Sequence, residues 1–478
     1  MQLLFADQLG PHFQLEEQIL LPEVLGQFKK RKYHRQKAHL ILSAIRHRAL
    51  DSGVELIKLD SYKDLATAVS SVVNPTSYNL RRFVDSLGVQ IEPSRGFVES
   101  EQEFADYVAS KSGKRLVMED FYRKQRVKTS LLMNNGQPEG DQWNYDHDNR
   151  LPAPKQSNLG VSEPWTAVED EIDVQVRADL DKLQAEGVSF SGIDGPRLFP
   201  ASREEALQAM HHFVEHRLDL FGPYEDAVLS DDWAMSHSLL SAPLNMGLLH
   251  PLEVAQAAEN AYIQGRARLA SVEGFIRQLI GWRDYVWHLY WHFGEDYVNQ
   301  NELNANEPLP ENWLELDAQT IDANCLKSTI DDISKRGWVH HIPRLMILGN
   351  IAMQRGFNPR QVNDWLVDNF VDGTPWVMPA NSVGMSLYAD GGMMATKPYA
   401  AGGAYINKMT NYCGSCQFDP KVRVGEKACP VNAGYWNFIN THQERLISNP
   451  RVSRAVYSMR KLSDLDELLE QESQRKNL

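Results

Sequence analysis

Along residues 1–133 short apolar runs alternate with amphipathic ones. QLLFA predicts a strand, HLILSAIRH an amphipathic segment and VELIKL a second strand, and SYKDLATAVSSVV, VQIEP and EFADYVAS continue the alternation. That order predicts a parallel sheet with crossover helices, an α/β domain. From residue 134 to 200 the chain turns rich in Asn, Gly, Pro and Asp, which predicts a long connecting segment lying along both domains. From 201 to 478 the pattern is helical. Ser202 and Glu205 predict a capping box, Leu207, Met210, Phe213, Val214 and Leu218 hold one apolar face, and Gly222-Pro223 stops the helix. LEVAQAAENAYIQG, SVEGFIRQLIGWRDYVWHLYWHF and IPRLMILGNIAMQRG repeat the period, so the second domain is all-α.

Composition narrows the function classes. With 42% hydrophobic and 23% charged residues and 11 Trp in 478 residues, the chain buries enough apolar surface to be globular, in two or three domains. No apolar run is long enough to span a membrane, and MQLLFADQLG lacks the pattern of a secretory leader, so a cytoplasmic protein is expected. A net charge of -14 confines any nucleic-acid surface to one face. Basic residues cluster at Lys29–Lys37, Arg123–Lys128 and Arg451–Lys461, each run reading first as a solvated face. Neither GxGxxG nor GxxxxGK[ST] occurs.

The four cysteines sit at Cys325 and in YCGSCQFDPKVRVGEKACP, which holds Cys413, Cys416 and Cys429. One CxxC turn, a CP and a remote fourth thiol suit iron and sulfur, a tetrahedral zinc suits the same ligands, and a redox pair with a buried Cys325 is the plainer alternative. Among the histidines, His212 with His216 and His288 with His292 have i, i+4 spacing but no HExxH glutamate, which makes them surface or packing residues. His340 and His341 are adjacent, so at most one is expected to touch a given ligand.

Five strings in order, FGPYEDAVLSDDWAMSHSLLSAPLNMGLLHPLEV, FIRQLIGWRDYVWH, WVHHIPRLMILGN, NSVGMSLYADGGMMATKPYAAGGAYINKM and the cysteine run, resemble the photolyase and cryptochrome superfamily, and most of all its iron–sulfur bacterial (6-4) photolyases. FADQLG and QWNYDHDNR extend the resemblance across nearly the whole chain. It implies a Rossmann-like, flavodoxin-like antenna domain holding a 6,7-dimethyl-8-ribityllumazine, and a large all-α domain holding FAD and a [4Fe-4S] cluster. It carries Cys325, Cys413, Cys416 and Cys429 over as cluster ligands. For FAD the matching positions are Tyr224, His237, Ser238, Leu239, Leu240, Ser241, Asn245, Arg283 and Asn381, which without the family would read as ordinary capping and core residues; the family's Pro-Asn pair is Ala380-Asn381 here.

Trp365 matches the first station of an electron path to the flavin, although the next position, commonly Tyr, is Leu366. Phe5, Asp7, Gln8 and Leu9 match the antenna turn, with Glu23, His34 and Lys37 in a following stretch. His341, supported by His340, is implied as the acid of the reaction, and imidazole suits it because it titrates near neutral pH. Lys397 and Tyr399 fall where the family meets the damaged nucleotide. The implied activity is light-driven reversal of (6-4) photoproducts in UV-damaged DNA by a monomer, with the lesion flipped out of the helix. Two other readings stand beside it: a cryptochrome-like photoreceptor with the same cofactors, and an iron–sulfur DNA-binding module of the primase or helicase kind, which the missing Walker motif counts against.

Overall fold

A computed structural model describes residues 1–54 and 56–475. Six short strands occupy the start of the chain: β1 (Gln2–Leu3), β2 (Ile19–Leu20), β3 (Pro22–Val24), β4 (Ile57–Leu59), β5 (Ser71–Val73) and β6 (Gln90–Glu92). The main sheet runs β2-β1-β5-β6, every pair parallel, and β3 pairs with β4 in a second parallel ribbon. Parallel strands need crossovers. These come from helices such as Arg35–Ser52 and Tyr78–Leu87, so the predicted α/β character is realised. The strands are shorter than the apolar runs suggested. In SYKDLATAVSSVV the Ser61 and Asp64 side chains close a capping box around a single turn at Tyr62–Asp64, leaving only Ser71–Val73 to pair. Of VELIKL, Glu55 lies outside the described residues.

The connecting segment is more ordered than its composition suggested. It carries a fifteen-residue helix, Glu171–Ala185, capped by the Asp170 carboxylate. Val176, Leu180 and Leu183 form a stripe on that helix which packs with Ala38 and Leu42 of Arg35–Ser52. Beside them Asp173 is fully buried, accepts from Ser43 and Arg197, and has His39 Nε2 3.0 Å away.

In the helical half the capping box at Ser202 is half made. The Ser202 hydroxyl accepts from Glu205 N at 3.2 Å, but the Glu205 carboxylate turns to Ala201 N and Arg197. The helix ends at His216, and a single turn, Leu218–Phe221, precedes Gly222. Three stretches, Arg277–Arg283, Pro343–Gly349 and Ala380–Ser386, widen to π-helical hydrogen bonding. At Gly349 a Cβ would fall 2.5 Å from the Ser386 Cβ, so glycine lets two of these stretches touch. No described helix is long and apolar enough to cross a membrane.

One apolar core crosses the seam between the halves, joining Leu9 and Phe13 to Met210, Phe213 and Phe275. The later part of the basic run Lys29–Lys37 belongs to this seam, while Lys29 and Lys30 stay exposed. Arg31 pairs with Asp368 at 2.8 Å, Lys32 with Glu315 at 2.6 Å, and the buried Lys37 ammonium donates to Val367 O and Gly373 O. In the second run Lys124 and Lys128 pair with the buried Glu99, and Arg126 is itself buried on backbone carbonyls. Arg451 and Arg460 stay near the surface on Thr396 and Gln443.

Glu23 is 0% exposed and receives two hydrogen bonds from Arg46, at 2.7 and 2.9 Å. Glu23→Ala leaves that guanidinium buried beside only the Asp179 carboxylate, so a loss of about 3–5 kcal/mol is expected in urea unfolding. Replacing both partners with apolar residues should recover most of it.

Candidate functional site

A cavity of about 960 Å³ opens in the helical half, and all three π-helical stretches form its walls. Such widened turns redirect side chains and recur at functional sites. Arg277, Gln278, Trp282 and Arg283 come from the first, Arg344 and Met346 from the second, and Asn381, Ser382 and Ser386 from the third. The HSLLS segment enters between them, where Leu239 takes a left-handed backbone at φ 58 and the short helix Ser241–Asn245 follows.

Of the positions matched to a flavin, His237, Ser238, Leu239, Ser241, Asn245, Arg283 and Asn381 line this one cavity. Ser241 Oγ donates to Asp372 at 2.6 Å, Asn245 donates to the Asp372 carbonyl, and Arg344 grips the Asp372 carboxylate at 2.9 and 3.0 Å. Arg283 is half-buried, donates to Gly96 O and Leu244 O, and lies against the faces of Phe97 and Trp376. Its Nε is buried without a partner. Asn381 Nδ2 donates back to Val377 O at 2.7 Å. Leu240 and Tyr224 are placed differently. Leu240 is core, and Tyr224 packs against the Ala227, Leu229 and Met235 cluster while its neighbours Glu225 and Asp226 face the cavity. Trp365 is buried behind the wall, with Leu366 in front of it.

His340 and His341 both line the cavity, against the expectation that only one would, because the chain passes from loop to helix between them. His340 stacks on His237 at 4.2 Å, and His341 meets His237 edge-on at 5.7 Å. Burial and the nearby cationic groups hold His237 and His340 well below the usual imidazole range, so both are neutral. His340 has two ring nitrogens without a partner and His237 one. His341 is 53% exposed, with Nε2 3.5 Å from Asp226. Exposed Lys397 and Tyr399 share the cavity wall.

Sequence reasoning missed Glu225, Asp226, Gln278, Arg344 and Asp372, and took Asp146 and Arg150 for connector. The last two lie in QWNYDHDNR, so the resemblance had already marked their segment. Glu225 is buried with Oε2 unpartnered, and desolvation pushes its carboxyl up to about 8. Since that lies above its ordinary 4.5, the folded state retains a proton that the unfolded chain releases. The stabilisation is full below about pH 4.5 and is lost as pH rises through about 8. Glu225→Gln is expected to match the parent melting temperature near pH 4 and to exceed it at pH 8–9, read by thermal scans across that range.

The four thiols converge from separate elements. Cys325 lies in the first turn of Asn324–Arg336, Cys413 in the turn Tyr412–Ser415, Cys416 just after it, and Cys429 caps Pro430–Thr441. All four line one small void of about 20 Å³ with Ala323, Ile406, Phe418 and Val431, and none is in a disulfide. Burial first, then the neighbouring thiols, pushes Cys413 up to about 12. Four soft donors against apolar walls fit a thiophilic metal group.

The antenna positions divide. Asp7 Oδ1 and Gln8 Oε1 are buried without partners, and Phe5 meets Tyr62 edge-on at 5.4 Å, which leaves polar groups for a heteroaromatic ligand. Leu9 belongs to the seam core. The remaining three are engaged by protein: Glu23 by Arg46, His34 by Gln36 N and Ser334 O, and Lys37 by two carbonyls.

Residues 2–188 match the family model for deoxyribodipyrimidine photo-lyase-related proteins. The chain is 36% identical to the (6-4) photolyase of Agrobacterium fabrum, over 97% of this chain and 96% of that one. Among solved structures it is similar to a bacterial class III photolyase from Agrobacterium tumefaciens (TM-score 0.53, 15% identity, covering 83% of this chain and 81% of that one). It is also similar to a Synechocystis cryptochrome (TM-score 0.57, 13% identity, covering 97% and 99%). These two share the fold, and at that identity and two-way coverage of the Agrobacterium fabrum protein the chain belongs to the photolyase family.

Proposed function

We propose that this chain is a light-driven DNA lyase that reverts (6-4) pyrimidine–pyrimidone photoproducts, with FAD in the helical cavity. The observation that carries the reading is one cavity whose half-buried inner wall offers Arg283, Ser238 and Asn381 while its exposed wall offers His341, Lys397 and Tyr399. Fully reduced FAD, when bound and excited, supplies one electron to the lesion and takes it back. His341 holds a proton toward the open side, and Asp226 orients its ring. His237 and His340, neutral and buried, fill the wall behind it and offer nitrogens for hydrogen bonds without competing for that proton. Arg283, fixed by two carbonyls and two aromatic faces, gives the inner wall a positive charge that suits an anionic cofactor. Tyr399 and Lys397 receive the flipped nucleotide and its phosphate, so binding weakens with salt although the chain carries -14.

The thiol quartet is read as a [4Fe-4S] site. The support is the four thiols around one apolar void together with one CxxC turn, a CP and a remote fourth thiol. A ribityl lumazine at the Phe5–Leu9 turn, when bound, supplies additional light absorption, with Asp7 and Gln8 as its polar partners. The test is to illuminate the purified protein with DNA carrying a (6-4) photoproduct or a cyclobutane dimer. Loss of the (6-4) lesion alone is expected; survival of both lesions in the presence of bound flavin favours the photoreceptor reading.

A further inference from the structure

Three imidazoles from two separate segments converge in the cavity wall. His237 comes from the HSLLS segment, and His340 and His341 come from the loop-to-helix passage farther along the chain. One ring nitrogen from each lies within 4.8 Å of the other two. His237 and His340 are buried, while His341 is 53% exposed and opens the group to solvent. Neither nitrogen of His340 has a partner, nor does Nε2 of His237. Whichever His340 nitrogen carries the hydrogen, the other presents an unused lone pair. Buried polar atoms are nearly always paired, so orphaned nitrogens in a cavity wall call for a ligand. Desolvation keeps both buried rings neutral, which is the form that binds a metal. Imidazole nitrogens suit zinc, copper and nickel and leave magnesium and calcium to oxygen donors. Around a zinc bound at about 2.0–2.1 Å, nitrogens stand about 3.4 Å apart, so the rings close by about 1.4 Å at most, and the exposed His341 has room to do so. Asp226 Oδ1, 3.5 Å from His341 Nε2, sets negative charge beside the group, as carboxylates do next to metal-bound imidazoles. Of the cations that act on the buried rings, Arg344 is paired with Asp372, and Arg217 is held by the carbonyls of Ser162 and Met235.

We propose that His237, His340 and His341 form a site for a transition-metal dication, zinc above all, and that an ion held there switches repair off; the second half rests on the (6-4) repair reading above. Three imidazoles and one water complete a tetrahedral zinc. With the ion on one of its nitrogens, the His341 ring no longer becomes the imidazolium that gives a proton to the lesion, and a proton already on it is released to water. His237 and His340 are neutral before the ion arrives, so they release none. The ion enters from the His341 side, because the other two rings are closed off from solvent.

The experiment titrates zinc chloride into the purified holoprotein, free of chelators and thiols, and follows binding by calorimetry and light-driven loss of a (6-4) photoproduct after chemical reduction of the flavin. Saturable binding is expected, with repair lowered about tenfold or more at saturation and restored by EDTA. Magnesium in excess should not displace the zinc. His237→Phe and His340→Phe keep a buried ring and remove one ligand each. Both should weaken zinc binding by at least the about tenfold to hundredfold that loss of an outer partner costs. The ratio of repair with zinc to repair without it, taken within each variant, should rise toward one. Parent-like zinc binding in both variants, or saturation that leaves parent repair unchanged, would overturn the proposal. Where the variants fail to fold, X-ray absorption at the zinc edge of the loaded parent decides: imidazole nitrogens at about 2.0–2.1 Å support the site, and sulfurs at about 2.3 Å put the zinc on the thiols and overturn it. A parent that repairs no (6-4) lesion in metal-free buffer fails the repair reading before zinc is added, and the same spectrum then judges the site by itself.

Discussion

His341→Ala is expected to lower light-driven loss of a (6-4) photoproduct by about a hundredfold or more, with bound flavin unchanged. Three imidazoles meet in the cavity, and the structure distinguishes them. His237 and His340 are stacked, buried and held neutral, so neither holds a proton to give. His341 alone faces water, and alone has a carboxylate, Asp226, within reach of Nε2. In the proposed function this ring is therefore the one of the three that gives a proton to a lesion on the open side. Asp226→Asn should act through the same ring and shift the pH profile of repair more than substrate binding, because the amide keeps the shape beside Nε2 but drops the charge. His340→Ala should cost less in repair and more in flavin retention, since that ring supports the wall. Normal repair by His341→Ala would remove the acid from this position.

How much of this was legible beforehand depends on the range of the interaction. The α/β start and the helical remainder follow from periodicity, which acts locally, whereas the cysteine spacing by itself leaves a cluster, a zinc and a redox pair open. The cavity's charged wall follows from neither. Arg344 and Asp372 lie 28 residues apart and carry no motif, yet they close the floor on which Ser241 and Asn245 rest. Glu225 and Asp226 adjoin the more conspicuous Tyr224, and only the turn at Gly222 decides which of the three faces inward. The basic run Lys29–Lys37 misled for a related reason. Its partners, Asp368, Glu315 and two carbonyls, come from the far end of the chain, so a run that looks solvated locally closes a seam. The helix in the connector was readable in principle, because Val176, Leu180 and Leu183 keep helical spacing behind the Asp170 cap, but the surrounding prolines and glycines outweighed it.

Cys413→Ser is expected to remove nearly all of the about four irons and sulfides that a cubane cluster brings to each chain, along with its broad visible absorption. The argument is positional. Cys413 sits in a single turn and Cys416 just beyond it, so a hydroxyl in place of one thiolate withdraws a soft donor without moving its neighbour. The other two sulfurs are fixed by helix starts, at Cys325 and Cys429. The loop between Cys416 and Cys429 is in turn clamped by the helix Leu465–Gln474 and the residue before it: Arg423 pairs with Asp464 at 2.8 Å, and Gly425 exchanges hydrogen bonds with Gln471. From the far side Arg355 reaches the buried Glu472 at 2.9 Å. These contacts hold the loop that joins Cys416 to Cys429 in place. Metal analysis of the purified parent is therefore the sharper half of the test. One zinc per chain with no iron would overturn the cluster, whereas iron and sulfide in equal number, both lost in Cys413→Ser, would establish it.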